Sequence, residues 1–120
     1  MKPKFTSGKN IAMKVPVHEF DGTVAFYRDI LGFEETDASS PDELESVTFK
    51  FGDKNLWIDK IKGISQAEIW LEVVVEDIDA ASKYFEERDC IRRDEIEPLP
   101  EGFKGFWIAN PANIIHLVNE

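Results

Sequence analysis

Apolar and polar residues alternate along the first part of the chain. In residues 10–17, NIAMKVPV, apolar side chains fall at every second position from Ile11 onward, which predicts a half-buried β-strand. The next segment, TVAFYRDIL, has apolar residues at helical spacing, with Asp21 as the candidate N-cap and Gly32 as the candidate left-handed C-cap. A polar loop, DASSPDELES, and two alternating segments, VTFKF and NLWIDKI, follow. Residues 10–62 therefore predict a β-α-β-β-β order.

The same order of elements begins again at residue 67. The strand IWLEVVV, the N-cap candidate Asp77 and the helical segment IDAASKYFEER repeat the earlier pattern, and the strands FKGFWIA and IIHLVN follow. A shift of 58 residues (75 − 17) lays VEDI on VHEF. A two-copy period of this length indicates two fused supersecondary modules rather than a solenoid. We therefore predict a single domain, residues 1–120, made of two βαβββ modules at about residues 10–62 and 67–119.

Charge and composition limit the partners that the chain can bind. Fourteen Lys and Arg against twenty-four Asp and Glu give a net charge of −10, which opposes a nucleic-acid backbone or an anionic membrane and would attract a cation. No uncharged apolar run approaches the roughly 18 residues of a membrane span, and no signal peptide is evident. The single Cys90 offers neither a disulfide pair nor a metal knuckle. We expect a soluble, cytoplasmic protein that binds neither nucleic acid nor membrane.

The module repeat, the motif FYRDILGF and the NPAN turn at residues 110–113 together resemble the glyoxalase, bleomycin-resistance and extradiol-dioxygenase superfamily, also called vicinal oxygen chelate proteins. The resemblance extends over essentially the whole chain. It implies an α+β fold in which two βαβββ modules form a curled mixed sheet cup with helices on the outside. It also implies a homodimer.

Metal ligands are the next feature that the resemblance implies. Enzymes of the superfamily take one ligand from the first and last strand of each module, on the cup side, and the resemblance carries these positions to Ala12, Trp57, Trp70 and His116. Ala and Trp have no lone-pair donor for a cation, and one histidine is not a site. We therefore predict neither a metal nor another cofactor. Because the turn before His116 is one residue shorter than the superfamily's common Asp-Pro-x-Gly-Asn turn, a register shifted by one residue stays open.

Strand alternation predicts which side chains face the cup instead. If Leu71, Val73 and Val75 pack beneath the helices, Trp70 and Glu72 face the opposite way. The same parity, applied to the other strands, gives the candidate ligand-binding residues Lys14, Trp57, Asp59, Trp70, Glu72, Phe103, Trp107 and His116. Indole rings suit a flat aromatic or cationic ligand, and the carboxylates add attraction for a positive charge.

Three functions are compatible with this pattern. The leading hypothesis is a metal-independent small-molecule-binding protein of the glyoxalase/bleomycin-resistance type, without catalytic residues, whose ligand is flat, aromatic and, if charged, cationic. The alternative is a divalent-metal-dependent lyase, isomerase or dioxygenase-like enzyme with ligands relocated to His116 and Glu72, joined by Asp59 or Glu68. An interaction scaffold whose cup is filled by its tryptophans is the third. Structural roles also stay open, with Glu72 paired to Lys14 and His116 hydrogen-bonded to a carboxylate.

Overall fold

The chain divides into two compact units. A computed structural model describes residues 2–36 and 45–120. The first unit runs from Lys9 to Ile69, and the second combines residues 2–8 with Trp70–Glu120. Most of the predicted polar loop at residues 37–46 lies outside the described residues.

The first unit has the predicted β-α-β-β-β order. Its elements are β1 (Phe5–Pro16, whose residues up to Gly8 belong to the second unit), α1 (Val17–Ala25), a π-helical continuation (Phe26–Ile30), β2 (Glu35–Thr36), β3 (Ser46–Phe51) and β4 (Lys54–Ile61). The strands are ordered β2-β3-β4-β1. Strands β1 and β4 are parallel, whereas β2, β3 and β4 are antiparallel neighbours, so the sheet is mixed, as predicted.

Helix α1 begins one turn earlier than its sequence predicted. Its N-cap is Pro16, not Asp21. Proline suits a helix start because its φ is already near the helical value and its missing N–H is not needed there. The early start also brings Phe20 and Val24, four residues apart, into the core on one helix face. Gly32 follows the π-helical segment with a φ of +72°, which confirms the predicted left-handed position.

The core of the first unit lies between α1 and one face of its strands. Its buried side chains are Val15, Phe20, Val24, Phe49, Leu56 and Ile58. Ile58 is level with Met13 on β1 and with Val47 on β3. Because side chains alternate along a strand, the even positions of β1 and β3 and the odd positions of β4 point away from the helix.

The second unit repeats the order with different bounds. Its further elements are β5 (Glu68–Val75, whose first two residues belong to the first unit), α2 (Ile78–Glu87), β6 (Ile91–Arg92), β7 (Gly105–Ala109) and β8 (Ile115–Asn119), in the strand order β5-β8-β7-β6. Asp77 caps α2 as predicted, since its Oδ1 accepts hydrogen bonds from the backbone N–H groups of Asp79 and Ala80, both at 3.1 Å. Neither helix in the described part of the chain is long and apolar enough to cross a membrane.

Strand β8 is offset by one residue from its predicted orientation. Because His116 was predicted to face away from the helix, Val118 two positions later should do the same. Val118 is instead 0% exposed in the core beneath α2, with Val75, Ala81, Phe106 and Ile108. The cause is the turn at residues 110–113, which closes tightly with Asn110 N–H donating to Ile114 O at 3.0 Å. This closure pairs Ala109 with Ile115 and Trp107 with Leu117. Ile115 and Leu117 therefore share the face of Trp107, and His116 lies on the helix side.

Candidate functional site

In the second unit, two tryptophans and a carboxylate share the strand face that points away from α2. Strand pairing sets Glu72, Leu117 and Trp107 in one row across β5, β8 and β7. Trp70 lies two residues before Glu72, and its ring is 5.2 Å from that of Trp107 at an interplanar angle of 66°. This is the edge-to-face geometry that aromatic pairs favour. We call this surface the tryptophan face, with Trp70, Glu72, Trp107, Ile115, Leu117 and Asn119.

Trp107 is the fixed member of the pair. It is 6% exposed, its Nε1 donates to Glu97 O at 2.9 Å, and its backbone N–H donates to Asp94 Oδ1 at 3.2 Å. The loop between β6 and β7 therefore holds the indole by one hydrogen bond and the Trp107 backbone by another. Trp70 is half-buried, so it presents the more accessible ring.

Glu72 is also held in place. Asn119 Nδ2 donates to its Oε2 at 3.0 Å. Gly8 in β1 lies directly against the side chain, since a Cβ at that position would overlap Glu72 Oε1 and Cγ. Only glycine lets the backbone approach the carboxylate this closely. The charge of Glu72 therefore has a defined position on the tryptophan face.

The first unit carries a buried ion pair on the face away from α1. Lys14 Nζ lies 2.8 Å from Asp59 Oδ2, and the two side chains are only 3% and 4% exposed. The residues are register partners on β1 and β4, and Ser46 Oγ donates to the other Asp59 oxygen. Because Lys14 compensates its charge, Asp59 adds little net attraction for a cationic ligand.

Trp57 lies on the same face of the first unit, as predicted. Its Nε1 donates to Asn10 Oδ1 at 2.9 Å, and Asn55 Nδ2 donates to the same oxygen at 3.1 Å. The indole orientation is thus set by an amide that the sequence analysis did not select. The signal for Asn10 was available, since it precedes Ala12 by two positions on the same strand.

Two predicted residues lie elsewhere. His116 lines a pocket beneath α2 with Val73 and Phe85, which corrects its expected place beside the tryptophans. Phe103 precedes β7 rather than belonging to it. Its ring lies against Gly105, and it lines a shallow surface pocket with Arg92. Both predictions failed near the start of a strand, because alternation alone does not show where a strand begins.

Two exposed side chains outside these faces have shifted pKa values. The side-chain hydrogen bond from Arg93, at 2.7 Å, lowers the pKa of Glu95. The side-chain hydrogen bond with Asp29 raises the pKa of Arg28. Glu95 follows β6 and Arg28 lies in the π-helical segment, so neither group belongs to the tryptophan face or to the buried ion pair.

The arrangement of helices and strands is shared with several solved structures. The Mn(II)-bound glyoxalase from Novosphingobium aromaticivorans matches with a TM-score of 0.69 at 19% identity, over 98% of this chain and 40% of that one. Methylmalonyl-CoA epimerase from Mycobacterium tuberculosis matches with a TM-score of 0.64 at 12% identity, over 95% of this chain and 87% of that one. This chain has the glyoxalase fold.

A third match with the glyoxalase fold is similar in length. The glyoxalase/bleomycin resistance protein/dioxygenase superfamily member from Vibrio splendidus 12B01 has a TM-score of 0.58 at 18% identity, over 90% of this chain and 95% of that one. No protein-family model matches the sequence, and no curated protein does. The similarity inferred from the sequence is thus confirmed as a similarity of fold.

The four strand positions to which the sequence resemblance assigned metal ligands hold no coordinating side chain. Leu71 is level with His116, so the same register carried one residue back sets Trp70 against Ile115, just as Ala12 is level with Trp57. The corrected set is therefore Ala12, Trp57, Trp70 and Ile115, and none of these side chains coordinates a cation.

The relocated metal site of the alternative hypothesis does not assemble either. Glu72 pairs with Leu117 on the tryptophan face, whereas His116 pairs with Leu71 on the helix side. Their side chains point to opposite faces of the strands and cannot converge on one ion. Within residues 2–36 and 45–120, no group of three or more His, Cys, Asp or Glu side chains could hold a metal.

Proposed function

We propose that this protein binds a flat aromatic organic molecule without a metal ion, and that a positive charge on the ligand strengthens binding. One observation carries the proposal. The four strand positions to which the resemblance assigns metal ligands hold Ala12, Trp57, Trp70 and Ile115, so apolar and aromatic surface stands where coordinating groups would be needed. This substitution suits binding of an organic molecule and assigns no catalytic residue.

The tryptophan face supports the preference for an aromatic cation. Trp70 is held edge-on against Trp107, and each indole contact with a stacked ring or cation contributes about 0.5–2 kcal/mol. Glu72 lies two positions along the same strand and face and supplies the negative charge. The net charge of −10 reinforces it.

The proposal assigns different roles to the predicted residues. In this proposal Trp70, Trp107 and Glu72 form a ligand-binding surface in the second unit, and Trp57 contributes one in the first unit. Lys14 and Asp59 support the first unit as a buried pair. A homodimer is also part of the proposal, and sedimentation equilibrium tests it directly. A mass of one chain, 13.7 kDa, at micromolar concentration would contradict the dimer.

A second candidate, an interaction scaffold, is favoured by one specific observation. The rings of Trp70 and Trp107 touch, and Trp107 is almost fully buried. A strand face that is filled by its own tryptophan rings can pack against another protein surface rather than bind a small molecule. The two candidates differ in one respect, because only the binding protein changes its tryptophan environment when a small aromatic molecule is added.

Tryptophan fluorescence with matched ligands separates these candidates. N-methylquinolinium and 1-methylnaphthalene have nearly the same shape and differ in charge. We expect both to change the emission, and the cation to bind more tightly. Glu72→Gln should weaken cation binding about 1.5- to 5-fold, as expected for the loss of about 0.2–1 kcal/mol of charge–charge attraction, and leave the neutral ligand unaffected.

Control variants identify the responding residues. Glu68→Gln removes an exposed carboxylate at the start of β5 and should leave both affinities unchanged. Trp57→Phe and Trp70→Phe show which unit produces the fluorescence change. Unchanged emission with both ligands, or equal losses in Glu68→Gln and Glu72→Gln, would contradict the proposal and favour the scaffold.

A further inference from the structure

The pocket beneath α2 lies on the helix side of the second unit, opposite the tryptophan face. It has a volume of about 360 Å³ and opens beside the end of α2. Most of its wall is apolar and comes from Phe5, Val73, Phe85, Ile108 and Val118. His116 lines the same pocket. The volume is at the lower end of the range for ligand pockets, about 300–1,000 Å³, so it suits a molecule of one ring or two.

The internal repeat explains why this pocket is open. A shift of 58 residues lays His116 on Ile58, and Ile58 is 0% exposed in the core of the first unit. There Phe33 packs on Tyr27, with ring centroids 6.2 Å apart. The same shift lays Ile91 on Phe33, but Ile91 is 65% exposed and leaves the space unfilled. The second unit therefore keeps a cavity where the first has a packed core.

The hydrogen bonding of His116 determines which polar group of a ligand can bind in the pocket. Its Nδ1 lies 3.0 Å from Ile114 O. A carbonyl oxygen can only accept, so Nδ1 carries the proton, and the neutral ring presents Nε2 as an acceptor. Within the described residues, Nε2 has no protein donor. An acceptor in an apolar pocket favours a ligand that donates one hydrogen bond.

The charge of the protein and the geometry of the turn at residues 110–113 further restrict the class of ligand. Cys90 and Asn110 also line the pocket, and Asn110 Oδ1 already accepts from the backbone N–H groups of Ala112 and Ile114, at 3.0 and 2.9 Å. The net charge of −10 disfavours an anion. From these observations we propose that the pocket beneath α2 binds a small neutral phenol or aromatic alcohol, whose hydroxyl donates to His116 Nε2. This site is independent of the proposed function, because it uses the other face of the strands.

Histidine NMR on the full-length protein tests this site directly. The chain has two histidines, His18 and His116, and the exposed His18 serves as an internal reference. Phenol should shift the Nε2 resonance of His116 and leave His18 unchanged. Toluene has the same shape without the donor and should bind about 2- to 10-fold more weakly, the ratio expected for one hydrogen bond. Benzoate should bind more weakly than phenol.

Matched variants separate the hydrogen bond from general apolar binding. His116→Ile recreates the residue found at the equivalent position of the first unit and should bind phenol and toluene equally. His18→Ala should retain the preference for phenol, as should Trp70→Phe, which alters only the tryptophan face. If His116→Ile does not fold, the comparison of phenol with toluene on the unaltered protein decides. Equal binding of these two probes, tighter binding of benzoate, or an unmoved Nε2 resonance would overturn the proposal.

Discussion

Replacing Lys14 by Met should destabilise the protein strongly, because it leaves the buried carboxylate of Asp59 without its partner. Lys14 Nζ and Asp59 Oδ2 are 2.8 Å apart, with side chains 3% and 4% exposed. At an effective dielectric constant of about 20, the Coulomb attraction at this distance is ~6 kcal/mol, partly offset by desolvation of both charges. Loss of one partner of such a pair costs about 3–5 kcal/mol. This is a large share of the 5–15 kcal/mol typical of a folded domain.

Urea denaturation at neutral pH measures this loss. With m-values of about 1–3 kcal/mol/M, the midpoint for Lys14→Met should fall by at least about 1 M. The double variant Lys14→Met/Asp59→Leu removes both charges and should recover most of the stability or exceed that of the unaltered protein.

The control is the exposed ion pair between Lys50 on β3 and Glu34, which precedes β2. Lys50 Nζ lies 3.8 Å from Glu34 Oε2, with side chains 63% and 71% exposed, so Lys50→Met should cost less than about 1 kcal/mol. If Lys14→Met were no more destabilising than Lys50→Met, the argument from burial would be wrong. A double variant less stable than the Lys14 single variant would contradict it as well.

Three further perturbations test local features. Asp77→Ala removes the cap of α2 and should lower the unfolding free energy by about 1 kcal/mol, whereas Asp77→Asn should retain it; equal losses in thermal denaturation would exclude the cap. In Gly8→Ala the new methyl group overlaps Glu72, which should lower the unfolding free energy by about 1–3 kcal/mol. The loss should be smaller when Glu72 is also replaced by Ala, and a double-mutant cycle without coupling would refute this contact. Arg93→Gln should raise the pKa of Glu95, lowered by that hydrogen bond from an ordinary 4.5, in a carboxyl NMR titration. Because the pKa of Glu95 is lower in the folded state, its stabilising contribution is fully present above the ordinary value of 4.5 and is lost as the pH falls through the folded pKa. An unchanged titration curve would rule out the interaction.

Periodicity along single strands was sufficient to predict much of the site. Alternation in β1 and β4 correctly placed Lys14, Trp57 and Asp59 on the face away from α1. It did the same for Trp70 and Trp107 in the second unit. A strand has a side-chain period of two and one packed face, so a clear apolar alternation determines both faces without reference to other strands. That the modules form a single domain stays a prediction.

Alternation does not determine the orientation of strand β8. Its segment, IIHLVN, is apolar at odd and even positions alike, so its sequence alone does not choose a face. The choice comes from the hydrogen bonds of the turn at residues 110–113, which set Ile115 opposite Ala109. A register change of one residue turns every side chain to the other face. It moved His116 from the expected tryptophan cluster to the pocket beneath α2.

Local sequence thus determined the order of the elements, the cap at Asp77 and the orientation of every strand with a clear alternation. Tertiary structure alone decided the partners, including the pairing of Lys14 with Asp59 and the contact of Trp70 with Trp107. It also left open the space beside His116 that the first unit fills. The physical reason is that periodicity is a property of one element, whereas a contact or a cavity depends on the register and packing of several elements at once.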